Sequence, residues 1–288
     1  MSTQPLIPDG VRRIFAEGFR VADIAEPLAS FDEATPAGEV GRFMDEANFD
    51  VVGLRRGGQV WGFVERPLPD TGPCGDAVTP FAAPAVLPDS APLLAAVSVL
   101  AGAPRVFVTV FGRVAGIVTR ADMQKPPVRM WLFGLVTLIE LRYARLIEQF
   151  CPNGSWRQCL SEGRLKKAEV LLAERRRRHQ DLTLFDCLQL SDKGQVVARN
   201  ERIRRLTIYP SRGQAEEGVK MLEGLRNSLA HAQDIVSCDW DAIVRLSDHL
   251  DRVMKGEVIL PPEVPDGTDR PAPGPRHSAG GPDRGGAR

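Results

Sequence analysis

Late in the chain runs Leu225-Arg226-Asn227-Ser228-Leu229-Ala230-His231-Ala232-Gln233-Asp234. An arginine, a polar residue directly after it and a histidine five positions on form a set suited to phosphodiester chemistry. Histidine, with an ordinary pKa of about 6.5, takes or supplies a proton at neutral pH. A guanidinium stays charged and clamps phosphate oxygens as negative charge builds up in the transition state. Together, one residue can move a proton and the other can hold the charged oxygens of a phosphodiester. Residues five apart are displaced by about 140° around a regular helix. Arg226 and His231 therefore share a face only if the helix bends or ends between them, or if a second chain completes the site. Asn227 and His231, four apart, do share one. The competing reading is a surface ion pair for Arg226 and a helix C-terminal cap for His231, where a cation is welcome. A Ser228–His231–Asp234 hydrolase triad is disfavoured, because triad members normally come from separate elements and no G-x-S-x-G elbow is present.

A second set lies in Gly116-Ile117-Val118-Thr119-Arg120-Ala121-Asp122-Met123. Thr119 and Asp122 put a hydroxyl and a carboxylate three residues apart, where a polar ligand can use them. Both residue types are equally suited to capping the next helix. Arg175, Arg176, Arg177 and Arg178, followed by His179, make a basic helical end that either guides RNA phosphates or complements the helix dipole. Glu140 and Arg142 stand in an otherwise apolar run; a buried or interfacial ion pair is the favoured reading, since interior charges need partners.

The elements that must carry these sets can be read from periodicity. Gly58-Gln59-Val60-Trp61-Gly62-Phe63-Val64 returns 54 residues later as Gly112-Arg113-Val114-Ala115-Gly116-Ile117-Val118. Strand-like runs precede the copies, Asp50 to Leu54 and Arg105 to Phe111, so each pair reads as a hairpin with the first glycine in its turn. Helical spacing precedes each hairpin: Val40, Phe43, Met44 and Ala47, then Leu93, Leu94, Val97, Val99 and Leu100. A single copy of about 50 residues would be marginal alone, so the two should pack together.

This repeat resembles a tandem pair of CBS domains, with Gly116–Met123 matching the family's G-(apolar)-x-T-x-x-D motif. The resemblance implies an adenine-nucleotide ligand (AMP, ADP, ATP or a relative) held by Ile117, Thr119 and Asp122. The first copy departs from the motif, with Glu65 and Leu68 where Thr119 and Asp122 would stand, so at most one intact half-site is expected. Residues 127–255 resemble a HEPN domain, an all-helical module with an R-x4-6-H motif, on Arg226, Asn227 and His231. That resemblance implies a ribonuclease acting as a homodimer on RNA, cleaving through the neighbouring 2′-hydroxyl to leave a 2′,3′-cyclic phosphate and a 5′-hydroxyl, with no cofactor or metal for catalysis, in a toxin or defence role with an antitoxin protein as a possible partner.

The bulk properties agree with this division. The 37 basic and 37 acidic residues cancel. By segment, residues 1–125 carry 11 basic and 15 acidic side chains, and residues 126–260 carry 22 and 18. The positive half is the one that would meet RNA, though an excess of this size proves no such partner. Five cysteines with no C-x-x-C pair suggest neither a disulfide framework nor a zinc site. No run reaches the roughly 20 apolar residues of a membrane span, and no signal peptide is seen, so a cytoplasmic location is expected.

The expected fold is α+β. A CBS-like pair of βαβ-type units spans 1–125 (the first about 15–68, the second about 74–125), followed by an all-α HEPN-like bundle over 126–258. In the bundle, Met130 to Phe150 reads as a central helix or dimer face. Further helices are expected at about 161–179, 213–232 and 240–254, the last capped by Asp239 or Asp241. Leu182 to Asn200 reads as mixed, with a turn at Asp192-Lys193-Gly194. Residues 259–288, rich in Pro, Gly, Asp and Arg, are expected to be a disordered tail. Two other readings stand beside the ribonuclease: a non-catalytic nucleotide-sensing regulator whose helical half mediates dimerisation or partner binding, and a sensor whose output lies in another protein.

Overall fold

The computed structural model describes residues 13–254, apart from 16 and 232. The expected C-terminal tail lies outside the described residues. The first half holds β1 (Glu26–Pro27), β2 (Ser30–Asp32), α1 (Ala37–Ala47), β3 (Val51–Arg56), β4 (Gln59–Glu65), β5 (Thr79–Pro80), β6 (Val86–Pro88), α2 (Leu93–Leu100), β7 (Arg105–Val110) and β8 (Arg113–Thr119). They form two four-stranded sheets, ordered β2-β3-β4-β5 and β1-β8-β7-β6.

Both expected hairpins are present, and their turns take left-handed backbone at two successive residues. These are Gly57 (φ 57°) and Gly58 (φ 76°) in the first copy, and Phe111 (φ 50°) and Gly112 (φ 76°) in the second. Paired positive φ values match the twist that a two-residue hairpin needs. Phe111 holds its conformation with a fully exposed ring, a strained position for a bulky residue. The register also slips at equivalent places, Leu54/Arg55 and Val108/Thr109.

Neither unit closes its own sheet. β1, in the first unit, pairs with β8 of the second through Glu26↔Ile117 and Pro27↔Gly116. β5, in the second unit, pairs with β4 of the first through Gly62↔Pro80 and Phe63↔Thr79. This reciprocal exchange explains the second glycine of each repeat. A Cβ at Gly62 would sit 2.9 Å from the Thr79 carbonyl oxygen, and one at Gly116 would sit 3.2 Å from that of Glu26. Glycine is what lets the exchanged edge strand lie this close. The units therefore depend on one another, and Leu28, Val51, Phe63 and Phe107 form the apolar seam between them.

The helices of the second half are α3 (Pro126–Phe150), α4 (Glu162–Arg177), α5 (Leu190–Arg199), α6 (Glu201–Arg204), α7 (Arg212–Ala230) and α8 (Val236–Met254). α3 begins on Pro126-Pro127, where the missing N–H groups cost nothing. It buries Trp131, Leu135, Leu146 and Ile147. The core around α3 runs without a break into that of the second unit, joining Leu93, Val97, Val106 and Met123. The first unit has a separate core of Val40, Met44, Val52, Leu54 and Val64. Helix α2 packs against α8, so the helical half is seated on the second unit.

Two local expectations are corrected. Asp192-Lys193-Gly194 is not a turn but lies inside α5. The Asp192 carboxylate accepts from the Gln189 N–H (3.1 Å) to cap that helix and pairs with Arg164 (2.6 Å). Gly194 lets α5 and α7 approach, since a Cβ there would lie 2.3 Å from Val219 Cγ1. The last helix begins at Val236 and is capped by neither Asp239 nor Asp241. Instead Asp234 Oδ1 accepts from the N–H groups of Val236 (2.9 Å) and Ser237 (3.1 Å), and Ser237 Oγ donates to Oδ2 (2.6 Å). A carboxylate two residues ahead of the first helical N–H groups is where a cap reaches them.

Candidate functional site

Two groups of candidate residues occupy two places. The first is a cleft of about 1010 Å³ at the mouth between the two β-units. It is walled by residues 26–29 where β1 passes to β2, by 48–51 after α1, by 102–105 after α2, and by Ile117 and Thr119–Asp122 after β8. Ile117, Thr119 and Asp122, close neighbours in sequence, all line this one cavity of ligand size.

Within it, Asp122 is 8% exposed and fully engaged. Its Oδ2 accepts from the Thr119 N–H (2.7 Å) and from the Thr119 hydroxyl (3.0 Å). Its Oδ1 faces Lys125 Nζ at 2.9 Å. Lys125 also pairs with Glu26 and donates to the Ile24 carbonyl oxygen at 2.6 Å. Burial works against the Lys125 charge, but hydrogen bonds to Glu26 and Asp122 outweigh it and raise its pKa. Thr119 and Asp122 therefore do cap the Arg120–Gln124 turn, in the cleft wall itself.

The departures in the first copy also find partners. Glu65, at the place of Thr119, forms an ion pair with Arg105. Leu68, at the place of Asp122, packs against the first unit's core. Arg66 pairs with Asp50 (2.7 Å) and Asp45 (3.0 Å), neutralising an acid of the cleft wall. Its counterpart Arg120 donates to the Leu100 carbonyl oxygen (3.1 and 3.0 Å) and lies 5.0 Å from the centre of the Trp240 ring.

The second place is the end of α7. The helix runs unbroken to Ala230, and His231 is its exposed C-cap, with its N–H on the Asn227 carbonyl oxygen at 3.0 Å. Arg226 Nη2 donates to Asn227 Oδ1 at 3.0 Å. The structure joins Arg226 with Asn227, and among the described residues no hydrogen bond joins either side chain to His231. With regular helix between them, Arg226 and His231 remain about 140° apart within one chain.

The segment after α7 is held by residues that no sequence pattern marked. Arg129, in the first turn of α3, donates through Nη2 to the carbonyl oxygens of Ser228 (2.9 Å) and Leu229 (3.2 Å), and through Nη1 to that of Gln233 (2.9 Å). Gln124 Oε1 accepts from Arg129 Nη1 (3.3 Å) and from the Ile235 N–H (3.4 Å), and Gln124 Nε2 donates to Asp234. A cation on the last carbonyls of a helix is favourable on both hydrogen-bond and dipole grounds.

Of the other candidates, Arg175, Arg176, Arg177 and Arg178 are exposed at the end of α4, where Arg178 pairs with Glu174 at 2.6 Å. Glu140 pairs with Lys193 at 2.8 Å. Arg142 departs from the expected ion pair. It is 3% exposed, and Nη2 donates to the Leu206 carbonyl oxygen at 2.9 Å. Burial lowers its pKa. Among the described residues no group of three or more His, Cys, Asp and Glu could hold a metal ion, and no helix is long and apolar enough to cross a membrane.

No family model matches the chain, and neither does any curated protein. Several solved structures are similar to part of it. One is an uncharacterized conserved protein from Pyrococcus horikoshii, at 18% identity over 37% of this chain and 90% of that one, with a TM-score of 0.34. A second is the protein CBSX2 in complex with AMP, at 21% identity over 36% of this chain and 92% of that one, with a TM-score of 0.32. A third is the CBS domain of a bacterial CNNM/CorC family Mg2+ transporter in complex with ATP, at 15% identity over 41% of this chain and 92% of that one, with a TM-score of 0.33.

Proposed function

We propose that this protein is a metal-independent endoribonuclease regulated by an adenine nucleotide and active as a homodimer. Residues 1–125 are the sensor, and residues 126–258 carry the catalytic motif. The observation that carries the sensing role is the convergence of Ile117, Thr119 and Asp122 on one cleft of about 1010 Å³. A hydroxyl, a carboxylate and an apolar side chain there match a phosphate, a ribose and a base.

The catalytic role falls to Arg226, Asn227 and His231 at the exposed end of α7. His231 takes the proton of the 2′-hydroxyl as its oxygen attacks phosphorus, or supplies one to the 5′-oxygen as the P–O5′ bond breaks. Arg226 balances the charge on the phosphorane-like transition state, and Asn227 orients Arg226. The angular separation of Arg226 and His231 within one chain supports a site shared by two chains. What supports a second copy is α3, where the exposed apolar side chains Met130 (65% exposed), Phe133 (49%) and Leu141 (51%) follow one helical face. The arginines 175–178 are the surface that steers RNA phosphates.

The same separation favours one second reading, a non-catalytic nucleotide-sensing regulator that uses the α3 face only for association. One experiment separates the two: labelled single-stranded RNA is incubated in EDTA with wild type, His231→Ala and Arg226→Ala, with and without ATP or AMP. Cleavage by wild type alone, leaving cyclic-phosphate ends, is expected. Equal inertness of all three with either nucleotide would move the regulator ahead.

A further inference from the structure

We infer that Gln124 and Arg129 are positioning residues that tie the conformation of the His231 segment to the state of the Thr119–Asp122 turn. The inference rests on the proposed nucleotide reading only for the identity of its trigger; the mechanical link stands on contacts within the chain.

The input side is a competition for one hydrogen. The Thr119 hydroxyl has a single proton and gives it to Asp122 Oδ2. A phosphate that accepts from this hydroxyl must draw that hydrogen bond away from Asp122. The hydroxyl cannot serve ligand and cap at once, so a ligand favours a different arrangement of the Arg120–Gln124 turn. That differential interaction is what any population shift requires.

The output side begins at the last residue of the same turn. Gln124 contacts Asp234, the Ile235 N–H and Arg129, and Arg129 holds the carbonyl oxygens of Ser228, Leu229 and Gln233. These five backbone or side-chain partners bracket His231 on both sides. Asp234 is in turn the cap of α8. Trp240 of α8 lies against Arg120, which also lines the cleft. The turn is thus attached at Gln124 to the segment and at Arg120 to the helix that follows it. By linkage, whatever loosens one must loosen the other.

Hydrogen exchange by mass spectrometry tests this in the full chain, with α1 as an internal reference because its core is separate. Arg129→Gln and the milder Gln124→Ala should each speed exchange in 228–235 by about tenfold and also speed it in 119–125. Arg129→Lys, which keeps the charge but not the fork, should restore part of the protection. Thr119→Val, which removes the shared proton, should speed exchange in 228–235 from the other end. Exchange that changes only at the substituted element, with the far segment as in wild type, would overturn the inference. Millimolar ATP is the last arm. If it alters neither segment while the Thr119→Val effect persists, the nucleotide reading fails and the link between turn and segment stands.

Discussion

Glu65 and Arg105 form an ion pair across the two copies of the repeat, joining the end of β4 to the start of β7. Glu65 stands where the second copy has Thr119, and Arg105 lines the cleft that Thr119 lines. One substitution relative to the repeat thus puts a carboxylate where Thr119 would stand and engages a cation of the cleft. The pair is partly exposed, and pairs of that kind contribute only about 0–1 kcal/mol to stability. Its consequence lies in binding. Glu65→Thr should leave thermal stability nearly unchanged and free the Arg105 guanidinium for a ligand phosphate. ATP affinity measured by calorimetry should rise severalfold, and Arg105→Ala should lower it. Identical affinities in both variants would remove Arg105 from the ligand site.

The two second glycines of the repeat differ in how closely their edge strands approach. A Cβ at Gly62 meets Val78 at 2.5 Å and the Thr79 carbonyl oxygen at 2.9 Å, whereas one at Gly116 meets nothing nearer than 3.2 Å. Overpacking of this kind costs about 1–3 kcal/mol. In denaturant titrations Gly62→Ala should fall in that range and Gly116→Ala near or below its lower end. Equal losses would mean that β1 and β5 are held equally loosely.

The exposed face of α3 is proposed to meet a second copy. Phe133→Asp places a charge on that face at a half-exposed position, so the monomer should nearly keep its melting temperature. Sedimentation velocity should show a dimer for wild type and a monomer for the variant, with RNA cleavage lost in parallel. A wild type that sediments as a monomer at micromolar concentration would withdraw the shared site.

Asp234 gives the helical half a pH signature. Hydrogen bonds from the Ser237 side chain and backbone, followed by Val236 and Gln124, hold its pKa below the ordinary carboxylate value. A carboxyl depressed in the folded state contributes stability above the unfolded pKa of about 4, and that contribution is lost as pH falls through the folded value. Tryptophan fluorescence of Trp240 and exchange in 228–237 should therefore loosen as pH is lowered below about 4. Asp234→Asn should remove that step while leaving the neutral-pH fold intact. A step that persists in the variant would belong to another carboxylate.

What could be read from the chain alone was whatever depends on near neighbours. The G-x-V-x-G copies declared their hairpins because a positive-φ turn and a period of two are local properties of a few residues. Helices α3, α4, α7 and α8 were legible for the same reason, whereas α5 and α6 were not, and Asp192-Lys193-Gly194 was misread because Gly194 serves a contact with Val219 rather than a turn. Thr119 and Asp122 stood out by type, and their capping geometry is set within four residues.

Tertiary structure alone decided the rest. The exchange of β1 and β5 joins strands of two residues each to hairpins far away in sequence, and so short a strand carries no pattern of its own. Gln124 and Arg129 look like ordinary polar residues flanking Pro126-Pro127. Their partners, more than 95 positions later, are backbone carbonyls and an N–H that every sequence offers and none advertises. The angular separation of Arg226 and His231 followed from helical geometry as soon as both were seen. That α7 continues to Ala230 rather than ending between them was settled by what packs on it: Leu222, Leu225 and Ser228 are buried along one face, which keeps the last turn helical. Side-chain type and spacing nominate a site, whereas the packing of distant elements determines which of its members meet.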